Sequence, residues 1–147
     1  GFGTRHTRSE TESETRGIGA ARRWISAEFL SISNDCGGCL EVSFQRSIAP
    51  GQPGTRIPVD TEIVNVVAVI RGTTDPNRYV IMSGDIDNRV SDPNNYTDDS
   101  PGANDNASGM AGTIEAARVL GRTVRRRNRT PRWDSYGRSR SKSRVEH

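Results

Sequence analysis

Residues 83–109 read Ser-Gly-Asp-Ile-Asp-Asn-Arg-Val-Ser-Asp-Pro-Asn-Asn-Tyr-Thr-Asp-Asp-Ser-Pro-Gly-Ala-Asn-Asp-Asn-Ala-Ser-Gly, with six aspartates and almost no large apolar side chain. Carboxylates crowded into one loop repel each other, and a divalent cation among them relieves that repulsion. Asp85 and Asp87 stand two residues apart, so extended backbone puts both on one side. Asp105 lies at the mouth of a predicted helix, where it either caps that helix or points back toward Asp85. An EF-hand is excluded, because residues 85–90 place Arg89 at the third ligand position and Val90 where a glycine is required. The plain competing expectation is a solvated acidic turn with Asp105 as a cap.

The elements that position this loop follow from periodicity. Ile18, Ala21, Ile25, Phe29 and Ile32 recur at helical spacing over residues 17–33, with Trp24 beside them. Residues 39–47 alternate, with Leu40, Val42 and Phe44 on one side of a half-buried strand. After a Pro/Gly loop at 48–58, residues 62–71 are apolar on both faces and predict a central strand. A turn at 73–77 leads to a second buried strand at 79–83, and the acidic loop leaves its end. Residues 107–120 predict a helix despite Gly109 and Gly112. Helix, three strands and helix predict an α/β layer fold with a mixed sheet. Open α/β sheets place their sites beyond strand ends. Residues 1–16 are polar and predict an extended lead-in.

The chain has 147 residues, is 31% apolar and carries a net charge of +3. That net charge averages two opposite parts. Residues 122–147 set nine arginines and Lys142 against Asp134 and Glu146, a net of +8. The remainder sets eleven arginines against sixteen acids, a net of −5. No run is long enough for a membrane span. The chain opens without a methionine or an apolar leader, as a piece of something longer would.

Cys36-Gly-Gly-Cys39 holds the only two cysteines. A zinc site needs a second pair, and His6 and His147 lie at the chain ends. A redox motif belongs where a strand turns into a helix, whereas here a helix precedes the pair and a strand follows. A local structural disulfide in an exported protein is favoured over free thiols and over redox catalysis.

The Ser-Gly-Asp-Ile-Asp-Asn-Arg-Val-Ser-Asp, Pro-Gly-Ala-Asn-Asp-Asn-Ala-Ser-Gly and Ile-Glu-Ala-Ala-Arg-Val-Leu stretches resemble the metal-binding core of the M28 zinc peptidases. Gly-Phe-Gly-Thr-Arg-His and Arg-Gly-Ile-Gly-Ala-Ala-Arg-Arg-Trp-Ile resemble that family's lead-in and first helix. The resemblance covers about residues 1–121. It implies a doubly wound three-layer α/β sandwich, here partial, and a co-catalytic aminopeptidase acting on peptide substrates with two zinc ions. It implies the catalytic role of orienting carboxylate for Asp87 and of bridging metal ligand for Asp105. Asp85 stands where the family has a histidine ligand, which shifts preference toward harder ions such as Mn²⁺, Mg²⁺ or Ca²⁺. The family continues with a buried strand, a Glu-Glu pair, and a later Asp and His. Glu115, Glu146 and His147 do not reproduce these, so the chain alone is expected to bind zinc weakly or not at all and to be inactive. A secreted or periplasmic location is expected.

Residues 122–147 have few apolar side chains and predict a disordered Arg/Ser-rich tail. Its arginines, with Trp133 and Tyr136 for stacking, suit nucleic acid. A GC-rich gene read in a shifted frame gives the same composition, and adventitious polyanion binding is expected either way. Sequons at Asn95, Asn106 and Asn128 have meaning only in a eukaryotic secretory protein. A non-catalytic divalent-metal- or polyanion/RNA-binding protein is the alternative to the peptidase.

Overall fold

Ile18, Ala21, Ile25, Phe29 and Ile32 form the buried stripe of helix α1 (Gly17–Asp35), as their spacing predicts. The structure is a computed structural model that describes residues 1–129 other than Pro76. The first turn of α1 has no side-chain cap from Arg16. Its exposed N–H groups are met by the preceding segment instead. Gly17 donates to the Phe2 carbonyl at 3.0 Å, Ile18 to Ser9 Oγ at 2.9 Å and Gly19 to the Glu10 carbonyl at 3.2 Å. Residues 1–16 are therefore folded onto the molecule, with Thr4, Arg5, His6 and Ser9 buried. They are not a free lead-in.

The chain reverses after α1 through Cys36–Cys39, which are joined by a disulfide. Buried Ser33 braces the turn, since its Oγ donates to the Leu40 carbonyl and accepts from the Leu40 N–H. Strand β1 (Glu41–Ala49) then pairs antiparallel with strand β2 (Thr61–Val69), in a register that sets Glu41 opposite Val69 and Ala49 opposite Thr61. Side chains alternate across a strand, so Val42, Val64, Val66 and Ala68 share one face. Val42, Val66 and Ala68 pack against the cluster of Ile25, Phe29, Ile32, Cys36, Leu40 and Ile114. Ile114 belongs to helix α2 (Ser108–Arg129), which is tied to α1 by Arg118 to Glu28 at 3.3 Å.

The result is a small mixed α/β unit with a two-stranded antiparallel sheet. The three-layer sandwich with a mixed sheet is not formed among the described residues. β2 is not central, and Ile63, Val67 and Val69 on its other face are only half-buried. The strand expected at 79–83 is absent, with Val80 94% and Ile81 85% exposed. A strand is stable only when its backbone groups find a ladder partner, and among the described residues β2 pairs only with β1. Helix α2 runs past residue 120, where its predicted span ends, since arginine is a good helix former. The expectation of a disordered tail over 122–147 fails for residues 122–129, which continue α2, and its remainder, with Trp133, Tyr136, Glu146 and His147, lies outside the described residues. No helix among the described residues is long and apolar enough to cross a membrane.

Removing the Phe29 ring should leave a cavity under the sheet, so Phe29→Ala is expected to cost about 3–4 kcal/mol in urea unfolding. A loss below about 1 kcal/mol would contradict this packing.

Candidate functional site

The acidic loop has no regular structure between residues 83 and 102, so its shape depends on individual hydrogen bonds. Asn88 is the buried hub. Its Oδ1 accepts from the Arg5 N–H at 2.8 Å, and its amide nitrogen donates to the Ser100 carbonyl. His6 holds a further point: Nδ1 accepts from the Arg8 N–H at 3.0 Å, which leaves Nε2 protonated to donate to the Pro93 carbonyl at 3.0 Å. This histidine is a structural clasp.

The six aspartates divide by what they bond. Asp92 accepts from the Asn94 N–H at 2.8 Å, Asp98 from Asn95 at 2.8 Å, and Asp99 from Arg16 at 2.6 Å. Asp92 and Asp98 thus hold the loop's own turns, and Asp99 ties the loop to Arg16. Asp87 Oδ2 accepts from Thr7 Oγ1 at 3.0 Å. The Asp85 and Asp105 carboxylates take no hydrogen bond or ion pair from the described residues. Both line one open cleft of about 490 Å³, together with Asp87, Asn88, Arg89, Ser100 and Gly102.

Asp105 is in this cleft because it does not cap α2. Its backbone is extended (φ −119°, ψ 92°), and the peptide to Asn106 is cis. Asn106 Oδ1 accepts from the Gly109 N–H at 2.8 Å and does the capping. Two glycines permit the geometry. Gly102 has φ +48°, a conformation that a Cβ disfavours. A Cβ on Gly84 would lie 2.5 Å from the Gly109 carbonyl carbon and 2.6 Å from the Met110 nitrogen. Only glycine lets the chain before Asp85 pass that close to the start of α2.

Two buried arginines act on Asp87 through space. Burial pulls the Arg5 guanidinium below the usual arginine range, and the charge of Asp87 opposes that shift. Burial also lowers Arg22, opposed by Glu62 and then, more weakly, by Asp87, with Arg46 adding to the lowering. Arg22 Nε has no hydrogen-bond partner among the described residues.

Protein zinc sites use at least three side-chain ligands. No three His, Cys, Asp or Glu side chains among the described residues gather closely enough to share an ion. Asp85 and Asp105 are hard oxygen donors facing one cleft, with Asp87 committed to Thr7. These residues by themselves do not constitute a zinc site.

The family model described as Peptidase family M28 matches residues 65–132. A probable zinc metalloprotease of Leptosphaeria maculans is 49% identical over 119 residues, covering 81% of this chain and 27% of that protein. The chain belongs to peptidase family M28. Probable zinc metalloproteases of Pyrenophora teres f. teres and Pyricularia oryzae are each 47% identical, over 119 and 123 residues. They cover 81% and 82% of this chain, and 24% of each relative. The M28 chain thus spans about a quarter of the length of the curated relatives it matches. No solved structure matches the chain.

The structure places Asp85, Asp87 and Asp105 along one cleft without bringing them to a common point. Periodicity had no means of finding Arg5, Thr7, Asn88 or Asn106. The signal for Arg5 was the Gly-Phe-Gly-Thr-Arg-His run, whose likeness to the family lead-in marks it as more than a tail. Asn88→Ala strips partners from two buried backbone groups at about 1–3 kcal/mol each, so a loss of about 3 kcal/mol in denaturant unfolding is expected. Gly84→Ala should cost about 1–3 kcal/mol through overpacking. Unchanged stability in both variants would show that the loop is not held this way.

Proposed function

We propose that this chain is the metal-facing segment of a zinc-dependent aminopeptidase that hydrolyses N-terminal peptide bonds. The observation that supports it most is the division of the aspartates. Asp85 and Asp105 keep their carboxylates for the cleft, while Asp92 and Asp98 are used in turns and Asp99 in an ion pair with Arg16. Membership of M28 supplies the class of reaction. In this reading Asp85 and Asp105 are ligands in a paired-metal site, Asp105 as the bridge, and Asp87 is the orienting carboxylate held by Thr7. Peptides are the substrates. The Cys36–Cys39 disulfide suits a secreted or periplasmic compartment. The chain by itself is inactive, because two cleft carboxylates leave a zinc ion short of ligands.

Purified chain should show no turnover of aminoacyl-nitroanilides with added Zn²⁺, and robust hydrolysis would refute the inactivity. Mn²⁺ titration followed by the loss of the free-ion paramagnetic resonance signal should detect weak binding. Asp85→Asn and Asp105→Asn should each abolish it and Asp92→Asn should not. Binding that survives Asp105→Asn would sink the assignment.

A further inference from the structure

We propose that Arg5 is a positioning residue for the cleft: one buried guanidinium ties together the two arms of the acidic loop and so sets how Asp85 and Asp105 face each other. This rests on the metal-facing reading of those two carboxylates. Arg5 is only 9% exposed. Its Nε donates to the Ile86 carbonyl at 2.8 Å, and Ile86 lies between Asp85 and Asp87. Its two terminal nitrogens donate to the carbonyls of Pro101 at 2.9 Å and Gly102 at 3.1 Å, on the arm that leads into Asp105. The main chain of Arg5 completes the clamp, exchanging hydrogen bonds with Asn88 Oδ1 and the Asn88 N–H.

Every nitrogen of the guanidinium is therefore used, and both arms are held by one rigid plane. The fork is what matters. A lysine brings the same charge on a single rotatable point and cannot hold three carbonyls in that planar pattern. The charge has a second effect. The guanidinium also interacts through space with the Asp87 carboxylate, which opposes the lowering of Arg5 by burial. Arg16 makes the comparison clear. It bonds the Thr97 carbonyl and Asp99, and neither partner is among the residues that line the cleft.

The test compares full-length wild type, Arg5→Lys, Arg5→Gln and Arg16→Lys. Amide hydrogen exchange reads the two arms, and Mn²⁺ binding reads the cleft. With the fold retained by circular dichroism, Arg5→Lys should speed exchange at 86–88 and 102–107 and weaken Mn²⁺ at least about tenfold, as loss of a ligand-orienting partner does. Arg16→Lys should leave both readouts at these positions unchanged. Failure of wild type to bind Mn²⁺ would defeat the metal reading alone, because exchange at the two arms still decides the role of Arg5. Unchanged exchange in Arg5→Lys would overturn the proposal. So would global unfolding of both Arg5 variants, which would make Arg5 a determinant of the fold and not of the cleft.

Discussion

The contact between the N-terminal segment and the acidic loop is the constraint on which the rest of this molecule depends. It joins residues more than eighty positions apart, from Arg5 to Ile86 and Gly102. Between β2 and residue 102 no regular element among the described residues satisfies the backbone, so single side chains must do it. The same segment supplies Ser9 and two carbonyls to the open N–H groups of α1. One strand of polar sequence thus caps the main helix on one side and shapes the cleft on the other. Disturbing it affects both.

That arrangement also handles the charge problem of a carboxylate-rich loop. Three aspartates are spent on turn hydrogen bonds or an ion pair, and one on Thr7. Two buried arginines place positive charge within reach of Asp87. What remains is a cleft lined by two carboxylates, Asp85 and Asp105, that no described residue engages. The extended backbone at Asp105 separates it from Asn106, and the neighbouring residue takes the capping duty that otherwise would have consumed the carboxylate.

Much of the fold is legible from residues. The stripe from Ile18 to Ile32 is the buried face of α1, the alternation of Leu40 and Val42 gives β1, and the apolar run at 62–71 gives β2. Cys36 and Cys39 pair as their position after a helix suggests. The strand expected at 79–83 shows the limit of periodicity. Tyr79, Val80, Ile81 and Met82 have every intrinsic preference for a strand, yet they stand exposed. Propensity reports what a segment can form, and a strand also needs a neighbour with free backbone groups. The polar segment 1–16 shows the opposite case. It has no apolar period to read, yet it is held in place by hydrogen bonds to distant carbonyls.

By itself the sequence determined the helices, the hairpin strands, the disulfide pair and the family. These depend on local spacing or on motifs a few residues long. Only the tertiary structure decided which aspartates remain available and what holds them. Six identical carboxylates are equal in a sequence. They become unequal when Thr7, Arg16 and the loop's own amides take some and leave Asp85 and Asp105, and that choice depends on which donors the folded backbone brings within about 3 Å.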